Sequence, residues 1–295
     1  HFSSQVNFRR YSGGVPRRLK LLHASNGKLY GVTSRGGSSF GGGPGSGMGI
    51  LFEYDLASGA YINKQNFLGN NGSLPYGSLI QASNGKLYGM TSEGGANNLG
   101  VIFEFDLNTN IYTKKIDMTK AIGSRPLGSF VEAAPGKLLA CVTTGATTGA
   151  GPGTGGIIEY DFNTNTYITK IVFVDSTGIT SEGDLVKATG DGKYYGLTRA
   201  GGLNAVGVIF QYDYATNTYI KKRDFTSAFG HTPVGSLVNA PNGKLYGLTS
   251  AGGIGDHVGS LIEYNYTNNN LVRKVNMSDA LGGSAYGSLL LADNG

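Results

Sequence analysis

Short apolar segments alternate with turn-forming residues along the whole chain. In one representative stretch, the apolar segment 77–82 runs into Ser83-Asn84-Gly85, and a second strand pattern follows at 86–91. Asn-Gly favours a tight β-hairpin because both residues tolerate positive φ. Two further strand patterns lie at 101–106 and 112–117. The pattern therefore predicts four consecutive antiparallel strands, which we name A, B, C and D.

The four-strand pattern is repeated through the sequence. Its most regular phrase, Gly27-Lys28-Leu29-Tyr30-Gly31, returns at 85–89 and, with substitutions, at three later places. Four antiparallel strands in about 50 residues are typical of a β-propeller blade, whereas ankyrin and tetratricopeptide units would be helical. We therefore predict an all-β protein with a single β-propeller domain of four-stranded blades over 1–295. The repeat units are about 27–84, 85–135, 136–191, 192–242 and 243–294, with a partial repeat at 1–26.

The four strand patterns are not equally frequent. B and C patterns occur five times, whereas A and D patterns occur six times, because a D-like segment lies near 6–8 and an A-like segment at 287–291. We therefore expect five complete blades plus partial-blade strands at both termini, in a native ring of six or more blades. A five-bladed ring with two additional strands is the alternative. The chain begins at His1 without a signal-peptide pattern, so we interpret it as a processed or excised piece of a longer precursor.

The repeat motifs resemble two known families. The order G-K-L-Y, Gly-Gly and then Y-D-x-x-T-N-x-Y, seen at 212–219, resembles the kelch repeat, although Tyr replaces the kelch Trp and the Gly-Gly pair falls later. The sequence is more similar to the GloVer tandem-repeat family of secreted bacterial proteins, whose L-Y-G-x-T-S-x-G-G and G-V-I-F-E-Y motifs correspond to 87–95 and 100–105. This resemblance covers essentially the whole chain. It implies a bacterial extracellular or cell-surface location, often with a C-terminal sorting segment of the type IX secretion kind, which this sequence lacks.

Composition excludes several other classes of protein. Gly accounts for 50 of 295 residues and charged residues for only 15%, which argues against a helical bundle. The chain is 39% hydrophobic with 18 Tyr and 13 Phe, which argues against disorder. Its net charge of +5 is not concentrated in a strong basic patch, so we expect no nucleic-acid partner, and no apolar run is long enough to insert into a membrane. A single Cys rules out an internal disulfide and a multi-thiolate metal site, and we expect no metal and no cofactor.

The positions that break the repeat are the candidates for function. The first break is on the predicted innermost strand A, where four of six repeats carry Ser after Gly, but the first carries Lys20 and the fourth carries Asp184. If these side chains line the channel, the two charges would face each other across a six-bladed ring. A structural ion pair, a hydrated plug and a channel ligand site all remain compatible with this pattern.

A second group of irregular positions falls on the loops that join D to A and B to C, which share one face around the channel mouth. In the fifth complete blade these loops carry His231, Asp256 and His257. Two imidazoles and a carboxylate could bind a ligand or take part in acid–base chemistry, although exposed polar loop residues are the simpler interpretation. Arg199 replaces the Ser of Thr-Ser in the preceding blade and could meet an anion at the same mouth.

Other recurring or isolated residues are interpreted as structural. Cys141 lies in the divergent third B strand and is expected to be a small buried residue rather than a nucleophile. The Gly-rich loops 35–47 and 144–155 lack a phosphate-binding motif and are expected to be flexible surface loops. A carboxylate or amide recurs in the middle of every C strand, which suggests a packing or hydrogen-bonding role. These residues are Glu53, Glu104, Glu159, Gln211 and Glu263.

Repetition without a distinctive catalytic constellation favours a non-catalytic, extracellular or cell-surface binding or adhesion module. Its partner would be a glycan or a surface or secreted protein that meets the loop face. One alternative is a hydrolase or lyase that acts on polysaccharide, with His231, Asp256 and His257 as the catalytic group. Another is a structural secreted cargo that the export machinery of a type IX-like system recognises. Fold alone does not choose among these functions.

Overall fold

The computed structural model describes residues 20–38, 47–146, 153–254, 258–278 and 283–292. These residues form five four-stranded antiparallel sheets, each made of strands that are consecutive in sequence. The predicted all-β propeller fold with five complete blades is confirmed. The D-like segment expected near 6–8 lies outside the described residues. The A-like segment 287–291 pairs with no strand within the described part of the chain.

Each blade follows the predicted order A, B, C, D. The first contains β1 (Leu22–His23), β2 (Leu29–Thr33), β3 (Ile50–Tyr54) and β4 (Tyr61–Asn66). The second contains β5 (Ile80–Gln81), β6 (Leu87–Met90), β7 (Val101–Asp106) and β8 (Ile111–Asp117). The third contains β9 (Val131–Ala134), β10 (Lys137–Val142), β11 (Gly156–Asp161) and β12 (Thr166–Val172), followed by a 3-10 turn, Asp175–Thr177. The fourth contains β13 (Val186–Lys187), β14 (Tyr194–Thr198), β15 (Val208–Asp213) and β16 (Thr218–Asp224), and the fifth contains β17 (Val238–Asn239), β18 (Leu245–Thr249), β19 (Ser260–Asn265) and β20 (Asn270–Asn276).

A cross-strand pair of one small and one large residue packs the middle of each blade. Gly89 on β6 faces Phe103 on β7, and a Cβ atom at Gly89 would overlap the Phe103 ring. In the third blade the facing residues are Ala140 and Ile158. In this blade the small position therefore holds alanine, opposite an aliphatic rather than an aromatic side chain.

Neighbouring blades are joined by apolar clusters. Between the second and third blades, Tyr88 and Ile102 pack with Leu138 and Tyr160, and all four side chains are fully buried. Equivalent clusters join the first blade to the second, the third to the fourth and the fourth to the fifth. The hydrophobic core therefore lies between the sheets, which is why both faces of the B and C strands are rich in apolar residues.

The recurring C-strand carboxylate completes a buried polar network with the B strand. In the second blade the Tyr88 hydroxyl donates to Glu104 Oε2 at 2.6 Å and accepts from Asn84 Nδ2 at 2.9 Å, and Lys86 Nζ donates to Glu104 Oε1 at 2.7 Å. Burial and the hydrogen bond to Glu104 both raise the pKa of Tyr88. The first and fifth blades carry the same contacts. The predicted hydrogen-bonding role of this carboxylate is confirmed in these three blades.

Candidate functional site at the channel

A ladder of hydrogen bonds connects the innermost segments. In each link, a backbone N–H donates to the side-chain oxygen of the residue at the same repeat position in the next segment. Within the described residues, these links join Lys20 to Ser78, Ser78 to Ser129, Ser129 to Asp184, Asp184 to Ser236 and Ser236 to Ser288, at 2.7–2.9 Å. The recurring Ser is therefore a structural acceptor, and Asp184 keeps that role because its Oδ1 atom accepts from the Ser129 N–H.

The glycine that precedes this position lets the inner segments approach closely. A Cβ atom at Gly128 would lie 2.6 Å from the Gly183 carbonyl oxygen, and a Cβ at Gly183 would overlap the Gly235 carbonyl oxygen. No side chain larger than hydrogen fits there without moving the neighbouring backbone. The cavity that these segments enclose has a volume of only about 10 Å³, which is about one water molecule. A cavity of this volume has no room for an organic ligand.

Lys20 and Asp184 meet across the channel. Lys20 Nζ lies 3.9 Å from Asp184 Oδ2, and the two side chains are 43% and 21% exposed. Lys20 carries no side-chain acceptor, so it cannot supply the next rung of the ladder, and its ammonium group instead neutralises the carboxylate. Lys20 and Asp184, the two residues that replace the repeated Ser, thus form an ion pair across the channel.

A second ion pair on the fourth blade involves Arg199 and a residue that the sequence analysis missed. Arg199 Nη1 lies 3.1 Å from Glu182 Oε1. The Glu182 side chain is 7% exposed, whereas that of Arg199 is 50% exposed. Glu182 precedes Gly183 in the inner segment, where other repeats carry Tyr76, Leu127 or Val234. The break in that apolar position was a signal that could have identified Glu182, and its carboxylate partly neutralises Arg199 as an anion site.

His231 lies in the backbone bridge between a D–A loop and a B–C loop. Its N–H donates to the Ala251 carbonyl at 2.7 Å, and its Nδ1 atom is 2.8 Å from Thr232 Oγ1. Asp256 and His257, the other members of the candidate group, lie outside the described residues. Within the ranges that the structure describes, no group of three His, Cys, Asp or Glu side chains is arranged to hold a metal ion.

Cys141 is fully buried on β10, as expected from its position in the repeat. Burial raises the pKa of its thiol to about 12, although a hydrogen bond with Ser181 acts in the opposite direction. A thiol with such a pKa is almost entirely protonated at neutral pH. Since the thiolate is the nucleophilic form, Cys141 has the environment of a packing residue.

The loop face around the mouth presents apolar side chains on anchored backbone. Leu203 and Ile254 occupy the same position after the Gly-Gly pair in neighbouring blades, and they are 82% and 61% exposed. The Leu203 N–H donates to Asp224 Oδ1 at 2.7 Å, and the Ile254 N–H donates to Asn276 Oδ1 at 2.8 Å. Each B–C loop tip is thus tied to strand D of its own blade, although its side chain points into solvent.

Non-glycine residues in the left-handed conformation precede the inner segments on this same face. Leu74 and Arg125 adopt φ of 53°, and their N–H groups donate to the carbonyls of Met48 and Leu99 in the preceding blade, both at 3.0 Å. Thr180, Thr232 and Ser284 are the equivalent residues of later repeats, with φ of 52–57°. A left-handed backbone is unfavourable for these side chains and persists where surrounding contacts fix it. The loop face is therefore held rigidly between blades.

The sequence model of the Gloeobacter/Verrucomicrobia repeat matches residues 1–152 and 145–295. The chain belongs to the Gloeobacter/Verrucomicrobia repeat family. The expected relationship to this family is thereby confirmed. A comparison of this Gloeobacter/Verrucomicrobia repeat chain with curated protein sequences gives no match.

Solved structures with a similar fold share little sequence with this Gloeobacter/Verrucomicrobia repeat protein. The extracellular domain of the putative one component system BT4673 from B. thetaiotaomicron is 12% identical, with a TM-score of 0.56 over 96% of this chain. A puromycin-hydrolyzing peptidase from Mycobacterium tuberculosis is 10% identical, with a TM-score of 0.52 over 86% of this chain. This chain spans 37% of the length of each of those two chains. These likenesses show the fold alone.

The part of the chain that the structure describes contains no helix long and apolar enough to cross a bilayer.

Proposed function

We propose that this Gloeobacter/Verrucomicrobia repeat domain is a non-catalytic, extracellular binding module that recognises a protein through its loop face. The observation that carries the proposal is the placement of exposed apolar side chains on anchored loops of this one face. Leu68, Val174, Leu203 and Ile254 are 53%, 48%, 82% and 61% exposed there. Apolar side chains held on rigid backbone lose little conformational entropy when a partner covers them, and they supply much of the affinity of protein interfaces.

A protein partner is favoured over a glycan by the burial of the tyrosines. Sugar recognition uses exposed aromatic rings, but Tyr30, Tyr88, Tyr195, Tyr212 and Tyr264 are among the largest fully buried side chains. Tyr286 is 61% exposed, but it is a single ring. The inner cavity is also too small for a sugar ring. The two charged pairs, Lys20–Asp184 across the channel and Arg199–Glu182 on the fourth blade, place each charge beside an opposite one, which gives no support to catalysis.

The extracellular location is supported by the likeness to an extracellular domain, BT4673, at a TM-score above 0.5. This likeness supports the location as part of the proposal.

The proposal is tested by comparing binding by the native chain with binding by two matched double variants. Leu203→Asp combined with Ile254→Asp alters the loop face. Leu56→Asp combined with Ile111→Asp alters apolar residues that are 56% and 58% exposed on the opposite side of the blades. Each protein is screened against an array of bacterial secreted proteins and a glycan array. We expect a protein ligand whose binding is lost with the first pair and retained with the second. Binding only to glycans, or equal loss with both pairs, would contradict the proposal.

A further inference from the structure

The fifth blade leaves open an apolar face that is covered in the preceding blades. Tyr30, Tyr88 and Tyr195 on the B strands are 1%, 0% and 0% exposed, whereas the equivalent Tyr246 is only partly buried. The C-strand residue Leu261 is likewise partly buried, although its counterparts in the preceding blades belong to the buried clusters. The difference arises because each earlier face packs against the next blade.

The segment that follows the fifth blade also exposes apolar side chains. Leu290 and Leu291 are 81% and 39% exposed, and together with Leu289 they line a groove of about 430 Å³ with Tyr246 and Leu261. We call this surface, formed by Val238, Ala240, Tyr246, Leu261 and Leu289 to Leu291, the fifth-blade groove.

The first blade has a matching exposed residue on its opposite side. Leu21 is 55% exposed, but the residues at its repeat position, Leu79 and Leu237, are 6% and 1% exposed. Those residues are buried because they pack on the blade that precedes their own. An element packed beside the fifth blade would therefore contact exposed apolar residues of the fifth blade on one side and Leu21 of the first blade on the other. Each interior blade likewise packs against apolar residues on both sides.

The preceding blade interfaces define the chemistry that fits this groove. Strand B pairs antiparallel with strand A, as in Ile80 opposite Tyr88 and Gln81 opposite Leu87. Strand C brings an aromatic ring to the tyrosine of the preceding blade, as in Tyr30 and Phe105, whose centroids are 6.2 Å apart. One B–C hairpin of the repeat therefore supplies both the strand that pairs with strand A and the aromatic ring that contacts the tyrosine of the preceding blade.

We infer that the fifth-blade groove binds a B–C β-hairpin of this same repeat type, which pairs with 289–291 and stacks a C-strand aromatic ring on Tyr246. Such a hairpin supplies the inner strands of a further blade. Its B strand would pair with 289–291, which form no strand pairing within the described ranges, and its leucine and aromatic side chains would cover the groove. The inference does not depend on the function proposed for the loop face.

The inference is tested with the full chain and a synthetic peptide of residues 85–106, which contains one complete B–C hairpin. We expect the peptide to raise the Tm of the protein in a concentration-dependent manner and to protect the amides of 289–291 from hydrogen exchange. A Phe105→Asp peptide should bind about ten- to a hundredfold more weakly, because a buried ring is replaced by a charge. Leu290→Asp in the protein should weaken binding similarly, whereas Leu56→Asp should not.

Failure of the native-sequence peptide to change either the Tm or the exchange of 289–291 would overturn the inference. Formation of a homodimer that Leu290→Asp abolishes would also overturn it, because a second copy would then be the occupant. If the free peptide self-associates, the hairpin is supplied by continuing the chain after Gly295 with the sequence of 86–106. This extension should raise the Tm above that of the same extension carrying Phe105→Asp, and equal Tm values would refute the inference.

Discussion

Gly31 and Phe52 are direct cross-strand partners, and a Cβ atom built on Gly31 would lie 2.6 Å from the Phe52 ring. The ring cannot easily move away, because Phe52 is 3% exposed and stacks on Tyr61 with their centroids 5.1 Å apart. In the fifth blade, Ile262 replaces the aromatic partner, and a Cβ at Gly247 would lie 3.7 Å from it. The glycine at this repeat position is therefore sterically required opposite Phe52 but less so opposite Ile262.

Gly31→Ala should therefore destabilise the protein by about 1–3 kcal/mol, the usual cost of overpacking a well-packed core. Gly247→Ala is the matched control and should cost less, because its nearest neighbour is the terminal methyl of Leu237 at 3.0 Å, which can shift. Equilibrium unfolding in urea measures both free energies. Equal effects of the two substitutions would show that the facing ring is not the cause.

The fourth blade exchanges the carboxylate and the amide of the tyrosine network. The Tyr195 hydroxyl donates to Asp191 Oδ2 at 2.8 Å and accepts from Gln211 Nε2 at 2.6 Å. In the second blade the turn residue is the amide Asn84 and the C-strand residue is the carboxylate Glu104. Each tyrosine therefore contacts one carboxylate and one amide, but their positions are reversed.

This exchange predicts strong coupling between Asp191 and Gln211. Asp191→Asn leaves two amides around the Tyr195 hydroxyl, and Gln211→Glu leaves two carboxylates, so each single variant should lose about 1–3 kcal/mol. The double variant restores the arrangement of the second blade and should recover most of the loss. Urea unfolding of the four proteins measures the coupling, and simple additivity of the two single effects would contradict it.

The network also predicts acid sensitivity. Hydrogen bonds from Lys244 and Tyr246 lower the pKa of Glu263 to about 2, from an ordinary value of 4.5. Because the folded-state pKa is depressed, the stabilisation is present above pH 4.5 and is lost as the pH falls from about 4.5 to about 2. Glu263→Gln should lower stability at neutral pH and flatten the decline over that window. Glu93→Gln serves as the control, because the Glu93 side chain is 38% exposed and its Oε1 atom lies 3.9 Å from Arg125 Nη1 at the surface. Unchanged pH dependence in Glu263→Gln would contradict the assignment.

The inner ladder predicts that the residue at position 184 needs a side-chain acceptor more than a charge. Asp184→Ser keeps an oxygen for the Ser129 N–H, as at the other serine positions, whereas Asp184→Ala leaves that donor without its partner. Asp184→Ala should therefore be less stable than Asp184→Ser by about 1–3 kcal/mol. Thermal and urea unfolding compare the two proteins. If both variants are equally stable, the ladder bond at this position contributes nothing measurable.

Much of the fold could be predicted because each strand pattern recurs in several repeats of the sequence. The hairpin turns before Lys28 and Lys86, the alternation of apolar residues and the period of about 50 residues each indicate four-stranded blades. The recurrent Glu104 position was also correctly interpreted. Local rules suffice for these features because they depend on neighbours within one blade.

The candidate site was less accessible to sequence reasoning. Lys20 and Asp184 could be proposed as opposing charges, since their repeat positions are known, but the sequence did not reveal that Asp184 also accepts the Ser129 N–H. The partner of Arg199, Glu182, was missed although it breaks an apolar repeat position, because it lies in the inner segment, 17 residues before Arg199 in the sequence. Contacts between elements that are distant in sequence depend on how closely the blades approach.

By itself, the sequence determined the all-β repeat, the order of strands within each blade and the positions at which the repeat is broken, because turns and alternation are encoded locally. Only the tertiary structure decided which surfaces are closed and which are open. The close approach of Gly128 to Gly183 leaves a cavity of about 10 Å³ between the inner segments, and no blade covers Tyr246 among the described residues, which leaves the fifth-blade groove open. Both follow from packing between blades, where the backbone of one repeat meets that of the next.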